Sequence, residues 1–492
     1  MVTIALLVAG VCLSDVCLGA SYTVTVNDDN PKTIHVSGEF ALESSTIAMY
    51  ITRSPQLEDG QAALVRNLVI KRADGEPVTY EYAGIGDWTL AANVGDIVHV
   101  DYDVLLEHDR YDWGPGIDEV AYRQDDGLFF TGASLFIVPG HTSTHTIDVR
   151  FDLPSGWKAS TPWPSVEMGT YSARNVMDLV RNCLFMGTHL EETVTIGDFT
   201  FILAVGDRFK SKLNLFVEAM APLLPAYVEM FGGMPSESRY LVVINPGNRS
   251  DGGAFPGSYS MLIRGEVNRT SSAVWGHGIA HELLHFWNGH TIAPASSSDE
   301  EWFKEGFTDY LTILSLSRTG LDPRETTYRK LENSARRYII AKKLMDITDS
   351  MRAAGAEKHR KRFLVYGGGT LVAFALDIRI REATENAKGI DELMSRMYAE
   401  FGATGNRYSY EDIVRIATEV SGKDQSEFFG EFVDGTGFLD IGPYCESIGL
   451  QLTTMMDEFY IAEFSEATPA QRAIIASMLG TRGAAGGTGI SR

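Results

Sequence analysis

Apolar and polar residues alternate with period two through the first third of the chain. Tyr22-Thr23-Val24-Thr25-Val26 and Thr33-Ile34-His35-Val36 alternate, and Val98, Val100, Tyr102 and Val104 interleave with His99, Asp101 and Asp103. Ile147, Val149, Phe151 and Leu153 repeat the pattern. Successive side chains of a strand point to opposite faces, so this pattern predicts strands with one buried face. Turn-rich pieces such as Asn27-Asp28-Asp29-Asn30-Pro31 separate them. An antiparallel β-sandwich over 21–164 is the expected fold of this part, ending in a loop rich in Pro, Ser and Trp.

Beyond that loop the pattern becomes mixed. Residues 195–203 and 240–244 read as strands, and 251–260 as a loop leading into a short strand. Residues 212–231 have helical spacing but contain Pro222 and Pro225, which predicts a kinked or broken helix. One helix is expected around His281 and another from Glu300 to about 317, with Gly320 as its stop. A helical bundle is expected over 321–455, and 456–492 reads as a partly disordered tail, rich in Gly, Ala and Thr from 480. The fold class is therefore multidomain α+β, with a catalytic region over 165–320. The loop Arg110-Tyr111-Asp112-Trp113-Gly114-Pro115-Gly116-Ile117-Asp118 is a candidate border of a neighbouring site.

The chain has 492 residues and a net charge of −23. That excess argues against a nucleic-acid partner, which needs a basic surface, and suits a solvated acidic exterior. Residues 1–20 resemble a secretion signal: an apolar run over 4–13 precedes the small residues Gly19 and Ala20, although no Lys or Arg precedes the run. A secreted or periplasmic protein is expected. No other stretch approaches 18 apolar residues, so no membrane span is expected. A processed chain would keep only Cys183 and Cys445, which either pair or stay free. The oligomeric state is left open.

The chemistry concentrates at His281-Glu282-Leu283-Leu284-His285. Histidines four apart on a helix lie about 40° apart on one face and about 6 Å apart along the axis, so both rings can reach one ion. With 11 histidines in the chain, an H-E-x-x-H match arises by chance about one time in fifty. The pattern calls for one zinc ion, with Glu282 acting on a water as general base and a third ligand supplied from elsewhere. Glu305 in Trp302-Phe303-Lys304-Glu305-Gly306-Phe307 is the candidate, because a glutamate among aromatic residues needs a partner. Glu300 and Glu301 compete for the role, but at a polar helix start they suit the helix dipole better. Asp309, one turn beyond Glu305, can accept the second N–H of a ligand histidine. Tyr366, ahead of Gly367-Gly368-Gly369, is a candidate donor to a tetrahedral oxyanion, although by residue type alone it is one of 20 tyrosines. His277 and His290 read as structural.

His281-Glu282-Leu283-Leu284-His285-Phe286-Trp287-Asn288-Gly289 and Trp302-Phe303-Lys304-Glu305-Gly306-Phe307-Thr308-Asp309-Tyr310 resemble the glycyl aminopeptidase family of gluzincin metallopeptidases. The resemblance extends from the N-terminal β-region, through Gly127-Leu128-Phe129-Phe130-Thr131-Gly132, to Phe432-Val433-Asp434-Gly435-Thr436-Gly437. It implies a thermolysin-like catalytic domain, zinc on His281, His285 and Glu305, Glu282 as base, and Tyr366 as transition-state donor. Two departures follow from the same comparison. Family members carry Gly-Gly-Leu-Glu-His on the strand edging the cleft, where this chain has Gly252-Gly253-Ala254-Phe255-Pro256. Gly252 and Gly253 are thus candidates for substrate binding, while Phe255 replaces the glutamate that holds a substrate's free amine. Only about forty residues follow Gln451, too few for the family's usual C-terminal PDZ domain.

The expected function is a zinc metallopeptidase acting on a peptide or protein substrate, as an aminopeptidase or an endopeptidase. A catalytically silent zinc protein that binds peptides is the alternative. A structural β-protein with an incidental motif is the third reading.

Overall fold

In the computed structural model, the residues described are 20–28, 31–49, 59–106, 121–140, 145–248 and 251–481. The signal-like segment up to 19, the 110–118 loop and the tail beyond 481 lie outside them. The chain forms two compact units.

The first unit comprises described residues within 20–108, 131–155 and 163–181. Its main sheet has seven strands, in the order Ser165–Glu167, Thr170–Ala173, Ile147–Asp152, Ala20–Val26, Thr33–Ala41, Ile97–Leu105 and Val65–Arg72. Period-two patterning is realised residue by residue: Thr33–Ala41 and Ile97–Leu105 each alternate strictly between buried and half-buried positions. One pairing departs from the antiparallel expectation, since Ala20–Val26 runs parallel to Ile147–Asp152. A three-stranded antiparallel sheet (Thr46–Ala48, Asp87–Leu90, Tyr80–Gly84) completes the unit. Inside it, the Tyr22 and Tyr102 hydroxyls donate to the carbonyls of Ile137 and Leu135, which satisfies both buried groups.

The second unit takes 182–481 and, from earlier in the chain, 121–130 and 156–162. The chain therefore passes between units more than once instead of dividing at 164. The crossing has a physical reason in the sheet of Lys158–Ser160, Cys183–Gly187, Gly127–Thr131 and Ala121–Gln124. Cys183–Gly187 is buried at every position and lacks a polar face, so it needs apolar cover on both sides.

The central sheet of this unit has the order Leu190–Ile196, Phe199–Val205, Arg239–Pro246, Ser258–Ile263, Asp251–Phe255. Its middle three strands are parallel, and the edge strand Asp251–Phe255 is antiparallel to its neighbour. One face carries Phe199, Phe201, Tyr240 and Met261 into the core shared with Trp275, Phe286 and Trp287. The other carries Ile202, Leu241 and Leu262 against Tyr122, Phe129 and Phe185. The proline-containing stretch splits as expected into helices Leu213–Met220 and Leu223–Phe231, with Pro222 at the break.

Helices fill the remainder, including Gly369–Ala383, Ile390–Met397 and Tyr410–Ser421. The continuous run Phe363–Ala383 is long and apolar enough to span a membrane, contrary to the sequence reading, but 83% of its apolar window is buried inside the protein. It is the core helix of this unit. The stretch from 456 is more ordered than expected: Glu458–Glu463 pairs with Leu450–Met455, and Pro469–Leu479 is a helix. Thr468 and Gln471 form its capping box, and Arg318 and Ser317 bond the Met478 and Leu479 carbonyls at its end. Cys183 and Cys445 are both free, and burial pushes each thiol up to about 12.

Candidate metal centre

The H-E-x-x-H residues lie at the end of the helix Ser272–Leu284, with His285 as its C-terminal cap. This motif helix is held by its own apolar neighbours: Trp275 meets Phe216 edge-on, and Tyr227 donates to the Ala280 carbonyl at 2.9 Å. His281 and His285 are both buried, and their rings stand perpendicular with centroids 4.6 Å apart.

Glu305 arrives from a second element. Trp302–Phe307 forms a wide, π-type turn that runs into the helix Thr308–Arg318. Tyr366 sits in another such turn, Phe363–Gly368, ahead of Gly369–Ala383. Wide turns of this kind re-aim side chains and recur at functional sites. Glycine lets the two pack face to face. A Cβ on Gly306 would come 2.4 Å from the Gly369 Cα, and one on Gly369 would come 2.4 Å from the Trp302 carbonyl oxygen. Gly367 and Gly369 thus serve close backbone approach, as the glycine run after Tyr366 suggests.

Three donor atoms converge. Glu305 Oε2 lies 3.1 Å from His285 Nε2 and 3.4 Å from His281 Nε2. Ligands about 2.0–2.1 Å from a tetrahedral ion are separated by about 3.3 Å, so both spacings fit a shared metal. All three residues are buried, and their chemistry, two imidazoles and one carboxylate, is that of a catalytic zinc set.

The outward nitrogens are held as well. His285 Nδ1 faces the Asn288 carbonyl at 3.0 Å, and His281 Nδ1 lies 2.9 Å from Asp309 Oδ1, close but poorly aligned. Asp309 is thus the carboxylate beside the outward nitrogen of His281. An N–H on each Nδ1 leaves each Nε2 lone pair facing Glu305 Oε2, which is the tautomer a metal needs.

Glu305 divides its two oxygens between tasks. Oε2 faces the histidines, and Oε1 accepts from Lys358 Nζ at 2.7 Å. Burial works to raise the Glu305 pKa, but His285, His281 and Lys358 outweigh it and hold the carboxyl well below its usual range. For Asp309, burial is likewise outweighed by His281 and His277. Burial pushes the Tyr366 hydroxyl far above its usual range, and the Glu305, Glu282 and Asp309 charges add to this. Tyr366 thus remains a proton donor, with its ring stacked 6.3 Å from that of His281. Glu282 is half-buried, and its charge adds to the burial that raises the Tyr366 and Tyr240 hydroxyls.

Some residues differ from the sequence reading. Glu300 and Glu301 are buried rather than lying at a polar helix start. Glu300 accepts from Trp302 Nε1, and burial raises its carboxyl to about 7; Glu301 pairs with Lys304 and Lys358. His277 is no bystander, since its Nε2 lies 3.2 Å from Asp309 Oδ1. Its signal was present in the sequence: it precedes His281 by the same four residues that separate the two motif histidines. Asn288 is fully buried and donates to the Phe303 carbonyl and Thr308 Oγ1, clamping the Glu305 turn to the motif helix. Lys358 gave no signal in the polar run Glu357-Lys358-His359-Arg360-Lys361-Arg362.

Gly252 and Gly253 lie on the antiparallel edge strand. Gly252 and Ala254 pair with Met261 and Tyr259, whose side chains join the core on the motif-helix face. Phe255 instead packs against the cluster of Tyr122, Phe129 and Leu262 on the opposite face.

Comparison with known proteins accords with this arrangement. The model of the peptidase M61 N-terminal domain matches 21–188, and that of the M61 glycyl aminopeptidase matches 277–362; together they span just over half of the chain. A search of curated proteins found no match. Among solved structures, an aminopeptidase N family protein from Idiomarina loihiensis is similar in fold, at 19% identity and a TM-score of 0.74, covering 89% of this chain and 79% of its own. An M1 zinc metallopeptidase from Deinococcus radiodurans is also similar, at 15% identity and a TM-score of 0.55, covering 86% and 94%. On the two family matches, with the His281–His285–Glu305 cluster inside the second, the chain belongs to the M61 glycyl aminopeptidase family.

Proposed function

We propose that this chain is a secreted or periplasmic zinc-dependent metallopeptidase that hydrolyses peptide bonds. The observation that carries the reading is the convergence of His281 Nε2, His285 Nε2 and Glu305 Oε2 at spacings of 3.1 and 3.4 Å, with the Tyr366 ring stacked on that of His281. His281, His285 and Glu305 would hold the ion. A bound zinc ion supplies Lewis acidity, polarising the scissile carbonyl and making a water acidic at neutral pH.

The other tasks fall to side chains. The Glu282 carboxylate takes a proton from the attacking water and returns it to the leaving amine. Tyr366, kept protonated, donates its O–H to the oxyanion of the tetrahedral intermediate. Asp309 and the Asn288 carbonyl hold the ligand rings in one tautomer. The edge strand, small at Gly252 and Gly253, offers backbone groups to an extended peptide. The motif resemblance puts Phe255 where family members carry the glutamate that holds a substrate's amine, which favours cleavage that does not require a free N-terminus.

A peptide-library digest read by mass spectrometry tests the reading, with each peptide in free and N-acetylated form. The zinc-loaded wild type is expected to cleave both forms, and Glu282→Gln to be slower by about 10²–10⁴-fold. Undiminished activity in Glu282→Gln contradicts the mechanism. Cleavage confined to free N-termini contradicts the relaxed specificity.

A further inference from the structure

We propose that His277 is a positioning residue of the metal centre, holding the Asp309 carboxylate so that His281 keeps its Nε2 lone pair for the metal. The proposal rests on the zinc reading above. His277 lies one turn before His281 on the motif helix, with ring centroids 6.2 Å apart. Its Nε2 is 3.2 Å from Asp309 Oδ1, and His281 Nδ1 is 2.9 Å from the same oxygen.

An ionised carboxylate only accepts hydrogen bonds. Asp309 Oδ1 stands between the two ring nitrogens, at 3.2 and 2.9 Å, and can accept from each only where that nitrogen carries hydrogen. That fixes His277 as the Nε2–H tautomer and His281 as the Nδ1–H tautomer, which leaves His281 Nε2 bare.

The two ligand histidines differ in what steadies them. His285 is steadied by a backbone carbonyl three residues on, at a chain reversal fixed by the fold. His281 depends on a carboxylate side chain with two rotatable bonds. Such an acceptor orients a ring only if something holds it, and His277 is placed to do so. The alternative occupant of the same place is a second metal ion, because suitable atoms of His277, His281 and Asp309 lie within 4.8 Å of one another.

The experiment measures zinc affinity by chelator competition and zinc count at saturation, on the full chain and its His277→Leu, His277→Gln and His277→Asn variants. The glutamine amide can reach the position of the imidazole Nε2, whereas the asparagine amide falls short of it. The leucine and asparagine variants are expected to bind zinc about 10–100-fold more weakly, and the glutamine variant to recover most of the loss. The visible spectrum of the cobalt-loaded leucine variant is expected to shift, while the melting temperature of the metal-free protein stays put. Should the leucine variant fail to fold, the contrast between glutamine and asparagine still decides. Wild-type affinity in the leucine or asparagine variant overturns the proposal, as does equal weakening in all three. Two zinc ions per wild-type chain, with one lost in the leucine variant, overturns it in favour of a second metal. A wild type that binds no zinc overturns the metal reading itself, which distinguishes the two failures.

Discussion

Two of the buried ionic clusters in the second unit are built on opposite plans. At the first, Asp377 takes a hydrogen bond from Arg381 Nε at 2.9 Å, from Tyr310 Oη at 2.8 Å and from the Ile390 amide at 2.9 Å. At the second, His281, His285 and Glu305 bring three acceptor-type atoms together, and His281 Nδ1, His277 Nδ1 and Asn288 Oδ1 lack aligned partners. The helix Thr308–Arg318 serves both, since Asp309 faces His281 while the adjacent Tyr310 faces Asp377. Buried charge alone therefore does not mark a site. A cluster whose carboxylate is fully satisfied by protein donors is structural, whereas one that gathers lone pairs around a common point calls for a cation. The first unit sharpens the contrast, because none of its described residues is a buried ionisable group other than tyrosine.

Three substitutions probe that difference. The Glu282→Gln loss of about 10²–10⁴-fold in turnover is the largest expected effect, and it should leave zinc binding intact. Tyr366→Phe removes the oxyanion donor and is expected to lower kcat by about 10²–10³-fold, with KM and zinc affinity little changed; a loss confined to KM would assign Tyr366 to substrate binding instead. Asp377→Ala strips the partner from the buried Arg381 and is expected to cost about 3–5 kcal/mol in urea unfolding, with zinc affinity unchanged in the folded protein. An Asp377→Ala variant that loses zinc while keeping its stability would erase the distinction between the clusters.

Much of the site is legible in the sequence because its chemistry is carried by residue type and spacing. His281, Glu282 and His285 lie on one helix, and Glu305 and Asp309 lie one turn apart on the next, so local geometry links them. Tyr366 owed its recognition to the glycines and the family resemblance, because its approach to His281 depends on helix packing. Lys358 escaped notice because only the fold brings it 2.7 Å from Glu305. The same holds at larger scale. Alternation announced Thr33–Ala41 and Ile97–Leu105, but it could not show that 127–130 joins the second unit, since pairing with Cys183–Gly187 is a long-range choice. The helix Pro469–Leu479 did leave a local signal, in Thr468-Pro469-Ala470-Gln471, a capping box with proline in its first turn.

The central claim is that the His281–His285–Glu305 cluster is built around a cation, and metal analysis of exhaustively dialysed protein tests it most directly. One zinc ion per chain is expected in the wild type and in Asp377→Ala, and well under one in Glu305→Gln. A wild type without zinc, or a Glu305→Gln variant that retains it in full, would contradict the account.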